Sequence, residues 1–344
     1  MSIPHIALIG AGVIGRTHVD RLMRSEGVQL AAIADPTEGG RSLAESLGVP
    51  WFAEHQHMLD GVKPQGVVVS TPNHCHVPMA LDCLARGMPV LVEKPIANTV
   101  AEAQALVDAQ VRTGVPVLVG QHRRHDPINR RAREMIEAGR LGRIVSANVM
   151  ATVFKPEAYF DTAWRRQKGG GPVLINLIHE IDMLRFLMGE IESVQAIGSH
   201  AVRGFEVEDT AAAVLKFASG ALGSLVLSDT AASPWCWDFC AAEQDQYPRQ
   251  DVQSHFIAGT HGSLSLPDLA YWHYRGERSW HAELTHEQTR VHKADPYTRQ
   301  LQHFAAVIAG DEAPLCSALD GLRTLQATLA VSEAAETGKP VVLA

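Results

Sequence analysis

Three glycines near the start of the chain have the spacing of a turn that binds the pyrophosphate of a dinucleotide. The motif GAGVIG, residues 10–15, lies between an apolar run and a stretch with helical periodicity, the context that gives the pattern its meaning. Gly10 permits the tight bend, Gly12 lets phosphates approach the backbone, and Gly15 lets the helix pack closely on the strand. The helix start then offers N–H groups and a positive dipole end to the phosphates. The predicted cofactor contacts here are Gly10, Gly12, Val13, Ile14 and Gly15.

A carboxylate lies 20 residues beyond Gly15, at the end of the second predicted strand. Asp35 can accept hydrogen bonds there from the adenosine ribose hydroxyls. A carboxylate at this point would repel a 2′-phosphate, so the sequence favours NAD over NADP. Arg41 follows closely and can pair either with Asp35 or with a phosphate.

The first third of the chain must hold this turn, and it alternates strand-like runs with helical stretches. Such alternation predicts parallel strands joined by crossover helices. The predicted strands are His5–Ile9, Gln29–Ala34, Val67–Ser70, Val90–Val92 and Val115–Val119. The predicted helices are Gly15–Arg24, Val77–Arg86 and Val100–Arg112.

After Gly120, strand-like runs follow one another with few helices between them, which is typical of a largely antiparallel sheet. The predicted strands are Val145–Val153, Val194–Ser199, Ala211–Phe217, Leu222–Leu227, His255–Ala258, Ser263–Leu266 and Val341–Leu343. The predicted helices are Asn129–Ala138, Leu174–Leu187, Tyr297–Ile308 and Asp320–Glu336. Residues 229–253 fit neither period and are predicted to form a long loop.

We therefore predict an α/β protein of two domains, which suits a chain of 344 residues. Residues 1–122 form a Rossmann domain with a doubly wound parallel sheet. Residues 123–344 form an α/β domain with an open, largely antiparallel sheet, and the C-terminal helix packs back on the first domain.

Composition and charge exclude several classes of partner. The formal net charge of −8 argues against nucleic acid, and no apolar run approaches the roughly 18 residues of a membrane span. Residues 1–5 lack the basic and apolar regions of a signal peptide, so a cytoplasmic location is expected. The basic run of Arg123 and Arg124, with Arg130, Arg131 and Arg133, is predicted to be a solvated helix face or an anion contact. Five scattered cysteines complete no zinc site, and no metal is expected.

Polar segments also follow the third and fourth predicted strands, at the edge where an open parallel sheet presents its ligand crevice. With later motifs, they resemble the glucose-fructose oxidoreductase/inositol dehydrogenase (Gfo/Idh/MocA) family nearly end to end. The segments that carry the resemblance are Thr71–His76, Glu93–Pro95, Gly169–Gly171, His179–Asp182, Asp295–Phe304 and Gly338–Val341. The resemblance implies oxidation of a sugar or cyclitol hydroxyl, or the reverse reduction. It also implies a substrate site on the second domain and a homodimer or homotetramer.

The resemblance assigns three catalytic candidates. Lys94 matches the family's lysine, whose ammonium can hydrogen-bond the reacting oxygen and stabilise negative charge. His179 matches the family's histidine, the candidate acid or base, since an imidazole pKa of about 6.5 suits reversible proton transfer at neutral pH. Asp182, three residues further along the same helix, can orient the imidazole or bind a substrate hydroxyl.

One position departs from the family pattern. Many relatives place an aspartate four residues before the histidine, and here that residue is Ile175. Asn176, the next residue, can orient a hydroxyl but cannot carry the negative charge that raises histidine basicity. A non-catalytic sensor that binds NAD(P) therefore stays open as an alternative. The resemblance leaves a second alternative, an enzyme that oxidises a sugar transiently, eliminates a leaving group and recycles NAD.

Other side chains are predicted around the crevice. The further cofactor contacts are Thr71, Pro72, Asn73, His76, Glu93, Lys94 and Gln121, with loop capping as the alternative for Asn73 and His76. The substrate contacts are Lys94, Arg123, Trp164, Asn176, His179 and Asp182, with core packing as the alternative for Trp164. Lys168 is either a loop charge or a substrate contact. Trp235 and Trp237 belong to a lid or to an oligomer contact.

Overall fold

The computed structural model describes residues 3–244 and 246–343. Met1 and Ser2 of the segment inspected for a signal peptide, Asp245 of the predicted loop 229–253, and Ala344 lie outside the described residues. Contacts divide the chain into two compact units. The first contains the residues up to His125 together with Ala294–Leu325, and the second contains Asp126–Lys293 together with the residues from Gln326 onward. The functional domains over 1–122 and 123–344 stay predictions.

The elements follow in chain order. The strands are β1 (His5–Ile9), β2 (Gln29–Ala34), β3 (Trp51–Phe52), β4 (Gly66–Val69), β5 (Val90–Val92), β6 (Val117–Val119), β7 (Ile144–Thr152), β8 (Ile191–Ser199), β9 (Thr210–Phe217), β10 (Leu222–Ser228), β11 (His255–Gly259), β12 (Gly262–Leu266), β13 (Ala270–His273), β14 (Thr285–Gln288) and β15 (Val341–Val342). The α-helices are α1 (Val13–Arg24), α2 (Glu38–Leu47), α3 (His55–Val62), α4 (Asn73–Leu84), α5 (Val100–Thr113), α6 (Pro127–Glu137), α7 (Ile178–Met188), α8 (Trp237–Cys240), α9 (Pro296–Ala309) and α10 (Ala318–Thr337).

Within the described ranges, six parallel strands form the sheet of the first unit in the order β3-β2-β1-β4-β5-β6. Strands β4 and β5 are buried along their whole length, which explains their continuous valine and leucine runs. The order reverses between β1 and β4, and an open α/β sheet binds its ligand at such a reversal. The predicted doubly wound Rossmann sheet is confirmed. The short β3 and the helices α2 and α3 were not predicted.

The second sheet has the order β14-β13-β12-β11-β7-β10-β9-β8-β15. Its neighbouring strands in the described part of the chain are antiparallel except for the pair β7 and β10. Strand β9 alternates buried and exposed residues, as expected when one face of a sheet packs on a core. The predicted open, largely antiparallel sheet is therefore confirmed.

Two predictions about the second unit are wrong in part. The helix predicted over Leu174–Leu187 begins instead as a π-helical turn, Val173–Leu177, which leads directly into α7. The Val173 N–H donates to Glu208 Oε1 at 3.0 Å, so a side chain satisfies the start of this segment. The loop predicted over 229–253 contains the short helix α8, because Trp237 and Cys240 are buried side chains.

No helix within residues 3–244 and 246–343 is long and apolar enough to cross a membrane.

Candidate active site

Two glycines of the GAGVIG turn are required by the protein's own packing. Gly10 has a φ of 92°, and a Cβ on it would lie 2.8 Å from the carbonyl oxygen of Ser70. A Cβ on Gly15 would overlap the carbonyl oxygen of Gly10. Substitution at either position therefore displaces backbone, which accords with the predicted tight bend and close helix packing.

Gly12 has a different role. It precedes α1, is exposed, and has space around it, since an added Cβ would meet nothing within 4 Å among the described residues. The first turn of α1, Val13–Arg16, carries no acidic residue, and Val13 is 83% exposed. The positive end of this helix thus faces open space, into which a phosphate can come close to the backbone. The residues present fit a dinucleotide.

Asp35 is held as a charged group beside this turn. Its Oδ2 accepts the Ala11 N–H at 2.7 Å, and its Oδ1 accepts the Thr37 N–H at 2.8 Å and the Thr37 hydroxyl at 2.5 Å. Burial raises the pKa of Asp35, but the hydrogen bonds from Thr37 and Ala11 outweigh it and hold that pKa below its usual value. A carboxylate oxygen accepts more than one hydrogen bond, so ribose hydroxyls can still donate to it.

Of the two alternatives for Arg41, the pairing with Asp35 does not occur, and the contact with a phosphate stays a prediction. Arg41 Nε donates to Glu45 Oε1 at 2.9 Å, one turn further along α2, and its guanidinium lies 5.5 Å from the Trp51 ring centroid. The cation that acts on Asp35 is instead Arg16. Arg16 follows the glycine turn directly, and its Nη2 donates to the Gly39 carbonyl at 2.9 Å.

Glu93 and Lys94 follow β5 at its carboxyl end. Glu93 is buried, and its Oε1 lies 2.7 Å from His18 Nε2 of α1. Its Oε2 accepts the Lys94 N–H at 3.1 Å. Burial raises the pKa of Glu93, yet His18, Lys94 and His122 together hold that pKa below its usual value. The backbone of the half-buried Lys94 is thereby tied to a charged, buried carboxylate.

The segment after β4 is fixed by a histidine. His76 is buried in α4, with Nδ1 2.8 Å from the Pro95 carbonyl oxygen and Nε2 2.8 Å from the Thr71 carbonyl oxygen. Burial lowers the pKa of His76. The His76 ring thus bridges the two loops that follow β4 and β5. This contact agrees with loop capping, the alternative role predicted for His76. Pro72 precedes α4 and Asn73 begins it; the cofactor contacts predicted for all four residues stay predictions.

Thr71 adds a second observation that fits a cofactor. Its hydroxyl is buried and has no hydrogen-bond partner in the part of the chain that the structure describes. A buried polar group without a partner is unfavourable by about 1–3 kcal/mol, so a ligand that supplies one is stabilised here.

The residues after β6 correct one prediction. Gln121 is buried, as are Arg123 and Arg124 in the 3₁₀ turn His122–His125, and Arg124 Nη1 donates to the Leu315 carbonyl at 2.9 Å. Arg123 and Arg124 therefore do not belong to a solvated helix face. The substrate contact predicted for Arg123 and the cofactor contact predicted for Gln121 stay predictions.

The remaining arginines of that basic run lie on α6. Arg131 pairs with Glu134 at 3.0 Å and Arg133 pairs with Glu137 at 2.6 Å, between neighbouring turns of the helix. Arg130 is exposed on the same helix. For Arg130 and Arg131 the predicted solvated face agrees with the structure. Arg133 also packs on Phe186, with its guanidinium 4.9 Å from the ring centroid.

In the second unit, the π-helical turn Val173–Leu177 contains Ile175, the residue that departs from the family pattern. Ile175 and Asn176 are both half-buried, and Asn176 Oδ1 accepts a hydrogen bond from Lys155 Nζ at 2.6 Å. His179 follows in the first turn of α7 and is half-buried, whereas Asp182 is only 1% exposed. Such π-helical turns occur often at functional sites. The roles of Asn176, His179 and Asp182 stay predictions.

Sequence reasoning missed Lys155. It lies shortly after β7, its side chain is 12% exposed, and its Nζ is 3.8 Å from Asp229 Oδ2. Burial lowers the pKa of Lys155 to about 8 against the opposing attraction of Asp229. One signal was present in the sequence, because Lys155-Pro156 repeats, after a predicted strand, the Lys-Pro dipeptide of residues 94–95.

Burial bears on three further predictions. Trp164 is 50% exposed, which excludes core packing, and its substrate contact stays a prediction. Lys168 is exposed and pairs with Glu336 at 2.8 Å, as a loop charge does. Trp235 is 44% exposed, but Trp237 is fully buried against His255. Trp237 therefore belongs to the core, whereas the role of its loop as a lid or an oligomer contact stays a prediction.

Comparison with known proteins agrees with this geometry. Residues 5–121 match the family model described as "Oxidoreductase family, NAD-binding Rossmann fold", and residues 133–343 match "Oxidoreductase family, C-terminal alpha/beta domain". The chain belongs to the Gfo/Idh/MocA family. It is accordingly an oxidoreductase with an NAD-binding Rossmann domain.

Individual relatives cover nearly the whole chain. It is 29% identical to the scyllo-inositol 2-dehydrogenase (NAD(+)) of Bacillus subtilis (strain 168), over 98% of this chain and 95% of that protein. The WlbA dehydrogenase from Bordetella pertussis, solved with NADH and UDP-GlcNAcA, has a TM-score of 0.80 at 24% identity, over 100% and 99% of the two chains. An oxidoreductase from Agrobacterium radiobacter, solved with NAD+, L-tartaric acid and magnesium, has a TM-score of 0.81 at 17% identity, over 99% and 98%. The two solved structures share the fold.

Proposed function

We propose that this chain is an NAD-dependent dehydrogenase that oxidises a hydroxyl group of a sugar, sugar acid or inositol-like polyol, or catalyses the reverse reduction. The observation that carries the proposal is that an open phosphate turn at Gly12 lies beside the charged carboxylate of Asp35. Lys94 follows strand β5 of the same sheet. The related scyllo-inositol 2-dehydrogenase, by its name, uses NAD+ and acts on a polyol.

The glycine turn and Asp35 would hold the cofactor. The N–H groups that open α1 would bind its phosphates, and Asp35 would bind its adenosine ribose. Because the pKa of Asp35 is held below its usual value, the carboxylate is charged at neutral pH and disfavours the 2′-phosphate of NADP. We therefore propose NAD as the cofactor.

The chemistry on the alcohol needs two groups from the protein. When bound, NAD supplies the acceptor for the hydride that leaves the alcohol carbon. We assign to Lys94 the stabilisation of the alkoxide-like charge on the reacting oxygen. We assign to His179 the removal of the hydroxyl proton, and in the reverse direction its return. Asp182 is buried, so its proposed contribution is to orient α7 and the imidazole.

We also propose that the protein is a cytoplasmic homodimer or homotetramer. Large apolar side chains are exposed on the second sheet, including Phe256 at 44% and Trp272 at 40%. Contiguous exposed apolar groups mark interaction sites. Light scattering of the purified protein should give two or four times the mass of the 344-residue chain; a monomer at every concentration tested contradicts the assembly.

A turnover assay tests the function. Purified protein with NAD+ and a panel of sugars, sugar acids and inositols should form NADH with at least one of them. Lys94→Ala and His179→Ala should each lower turnover by about 10²–10⁴-fold, while the affinity for NAD+ changes little. Lys168→Ala, which removes an exposed lysine of the second unit, is the matched control and should keep full activity. Full activity in both active-site variants would show that the roles are misassigned.

The assay also separates the two alternatives. Cleavage of a glycoside without accumulation of NADH would indicate the NAD-recycling elimination. NAD binding with no turnover of any panel member would indicate a sensor. Ile175 stands at the position where many relatives have an aspartate, and this departure keeps the sensor alternative open.

A further inference from the structure

We propose that Lys155 and Arg165 form a subsite for a carboxylate, so that the substrate of this chain is a sugar acid rather than a neutral sugar or polyol. The inference narrows the substrate class of the proposed function and rests on that function. It is supported by a group of cations in the second unit, among which Lys155 and Arg165 have N–H donors without an acceptor in the described residues.

Lys155 supplies the first cation. An ammonium has three N–H donors, and Lys155 Nζ has one hydrogen-bond acceptor among the described residues, Asn176 Oδ1 at 2.6 Å. Asp229 Oδ2, at 3.8 Å, is within ion-pair range but beyond hydrogen-bond distance. A side chain only 12% exposed has little water to satisfy its remaining donors. A buried charge of this kind is unfavourable unless a hydrogen-bonding partner arrives.

The carboxylate of Asp229 already accepts a hydrogen bond from Arg203. Arg203 Nε donates to Asp229 Oδ1 at 3.2 Å, and its Nη2 donates to the carbonyl oxygens of Asp229 and Lys155, at 2.9 Å and 2.8 Å. Its Nη1 donates to Glu157 at 2.8 Å. All three nitrogens of Arg203 are thus engaged. Asp229 is shared between this buried guanidinium and the more distant ammonium, which leaves Lys155 incompletely neutralised.

Arg165 supplies the second cation. Its guanidinium carbon lies 3.9 Å from the centroid of the Tyr159 ring, and the Lys155 ammonium lies 4.6 Å from the same centroid. Arg165 Nη1 donates to the Tyr159 carbonyl at 2.7 Å. Its Nε is buried and has no hydrogen-bond partner within the described residues. Two cations with unused N–H donors therefore lie around one aromatic ring.

This combination selects an anion. The positive charges of Lys155, Arg165 and Arg203 repel one another, and Arg165 and Arg203 both contribute to the lowered pKa of Lys155. The opposing carboxylates are Asp229, whose own pKa is raised by burial, Glu157, which pairs with Arg203, and Asp238, which also acts on Lys155. A neutral hydroxyl can accept hydrogen bonds, but only a carboxylate also relieves the charge. Carboxylates bind ammonium and guanidinium groups through charge-assisted hydrogen bonds.

The position of the subsite fits a substrate contact. Lys155 holds the side chain of Asn176, and Asn176 lies three residues before His179, the proposed base. A carboxylate held at Lys155 would therefore be bound next to the π-helical turn that precedes the base, where it can position the hydroxyl to be oxidised.

Matched substrate pairs test the inference. D-gluconate and D-glucitol, and D-glucuronate and D-glucose, differ in one carboxylate in place of a hydroxymethyl group. With NAD+, the wild type should show a kcat/KM at least about 10-fold higher for the acid of a pair. Lys155→Met should lower the acid-to-neutral ratio by about 10- to 100-fold, mainly through KM, the size expected for one lost hydrogen bond between charged groups. Arg165→Gln should lower it as well.

Two further variants provide the controls. Lys155→Arg, which keeps the charge, should restore most of the preference for acids. Lys168→Met, which removes an exposed lysine paired with Glu336 in the same unit, should leave the ratio at the wild-type value. A wild type that prefers the neutral member of every pair overturns the subsite, and so does an unchanged ratio in Lys155→Met.

The pH dependence gives a readout that a purely structural lysine would not produce. Burial lowers the pKa of Lys155 to about 8, with Asp229 and Asp238 opposing it and Arg165 and Arg203 adding to it. The charged fraction of Lys155 therefore falls as the pH rises through about 8, and the KM for the acid should rise there. In Lys155→Arg the guanidinium stays charged, so this rise should disappear. A KM that is independent of pH in the wild type contradicts the subsite.

A binding measurement separates this inference from the proposed function. Calorimetric titration of the NAD-loaded protein with D-glucuronate does not depend on turnover. Binding to the wild type that Lys155→Met weakens, with no NADH formed from any panel member, would keep the subsite and overturn the dehydrogenase. NADH formed from polyols, with no glucuronate binding, would keep the dehydrogenase and overturn the subsite.

Discussion

Each unit contains a buried histidine–glutamate pair next to a proposed catalytic residue. In the first unit His18 meets Glu93, which precedes Lys94, and in the second His255 meets Glu180, which follows His179. Both pairs have a nitrogen–oxygen distance of 2.7 Å, and both join residues 75 positions apart. In each case the carboxylate next in sequence to the proposed catalytic residue is hydrogen-bonded by an imidazole.

The two pairs differ at the second nitrogen of the imidazole. His255 Nδ1 lies 2.9 Å from Ser254 Oγ. Both imidazoles have an aromatic ring packed edge-on, Trp237 at 5.6 Å from His255 and Tyr297 at 5.8 Å from His18 between centroids, so the rings do not distinguish the pairs. His18 Nδ1 is buried and has no hydrogen-bond partner among the described residues. The second unit therefore holds its pair with a further hydrogen bond, whereas the first unit leaves one polar atom unsatisfied. We infer that the His255 pair contributes more to stability.

The largest effect is expected from His255→Leu. It removes the partner of a buried carboxylate and the hydrogen bond to Ser254 together, so the free energy of unfolding should fall by about 3–5 kcal/mol. Urea unfolding of the purified variant measures this. His273→Leu is the matched control, because His273 pairs with the more exposed Glu287 of the same unit at 2.9 Å, and exposed pairs contribute little. Equal losses in the two variants would contradict the importance of burial.

A smaller loss is expected from His18→Leu, of about 3 kcal/mol, since only one hydrogen bond to the buried carboxylate disappears. Because Glu93 also accepts the Lys94 N–H, turnover should fall further than stability predicts. His18→Gln, whose amide can still donate to Glu93, should recover part of both. If His18→Leu costs more than His255→Leu, the comparison of the two pairs is wrong.

Features that depend on local spacing could be predicted from the sequence, whereas contacts between distant parts of the chain could not. The glycine turn and Asp35 could be predicted because their meaning depends on local spacing and on the end of a neighbouring strand, whereas Lys94 was assigned from the family resemblance. The two histidine–glutamate pairs and the contact of Lys155 with Asn176 were missed, because they join distant parts of the chain. The partner of Arg41 was missed as well, because the sequence offered Asp35 or a phosphate and the structure shows Glu45.

Within the glycine turn, two variants should separate folding from cofactor binding. Gly12→Ala adds a Cβ that meets no described residue within 4 Å, so stability should change little. The methyl group occupies space that the phosphates need, and the Kd for NAD should rise by about 10- to 100-fold, or roughly 1.4–2.8 kcal/mol. Gly15→Ala, whose Cβ overlaps the Gly10 carbonyl, should instead destabilise the protein. Normal NAD affinity in Gly12→Ala would contradict the phosphate site.

The smallest effect concerns acid stability. The pKa of Glu93 in the folded protein lies below its usual value of 4.5, so the folded state favours the charged carboxylate. The stabilisation that charged Glu93 gives the folded protein is present above the pKa of Glu93 in the unfolded state. It is lost as the pH falls through the pKa of Glu93 in the folded state. The urea midpoint should therefore decline less steeply below about pH 4.5 in Glu93→Gln than in the wild type. Identical slopes would show that Glu93 is not a source of acid sensitivity.

The transfer of a labelled hydride tests the central claim most directly. A substrate from the panel, deuterated at the carbon that bears the reacting hydroxyl, is incubated with the protein and NAD+, and the reduced nicotinamide is analysed by mass spectrometry. The account predicts one deuterium in each NADH formed, and loss of this transfer in Lys94→Ala and His179→Ala. Deuterium that stays in the product or appears in the solvent, with no labelled NADH, would contradict a dehydrogenase.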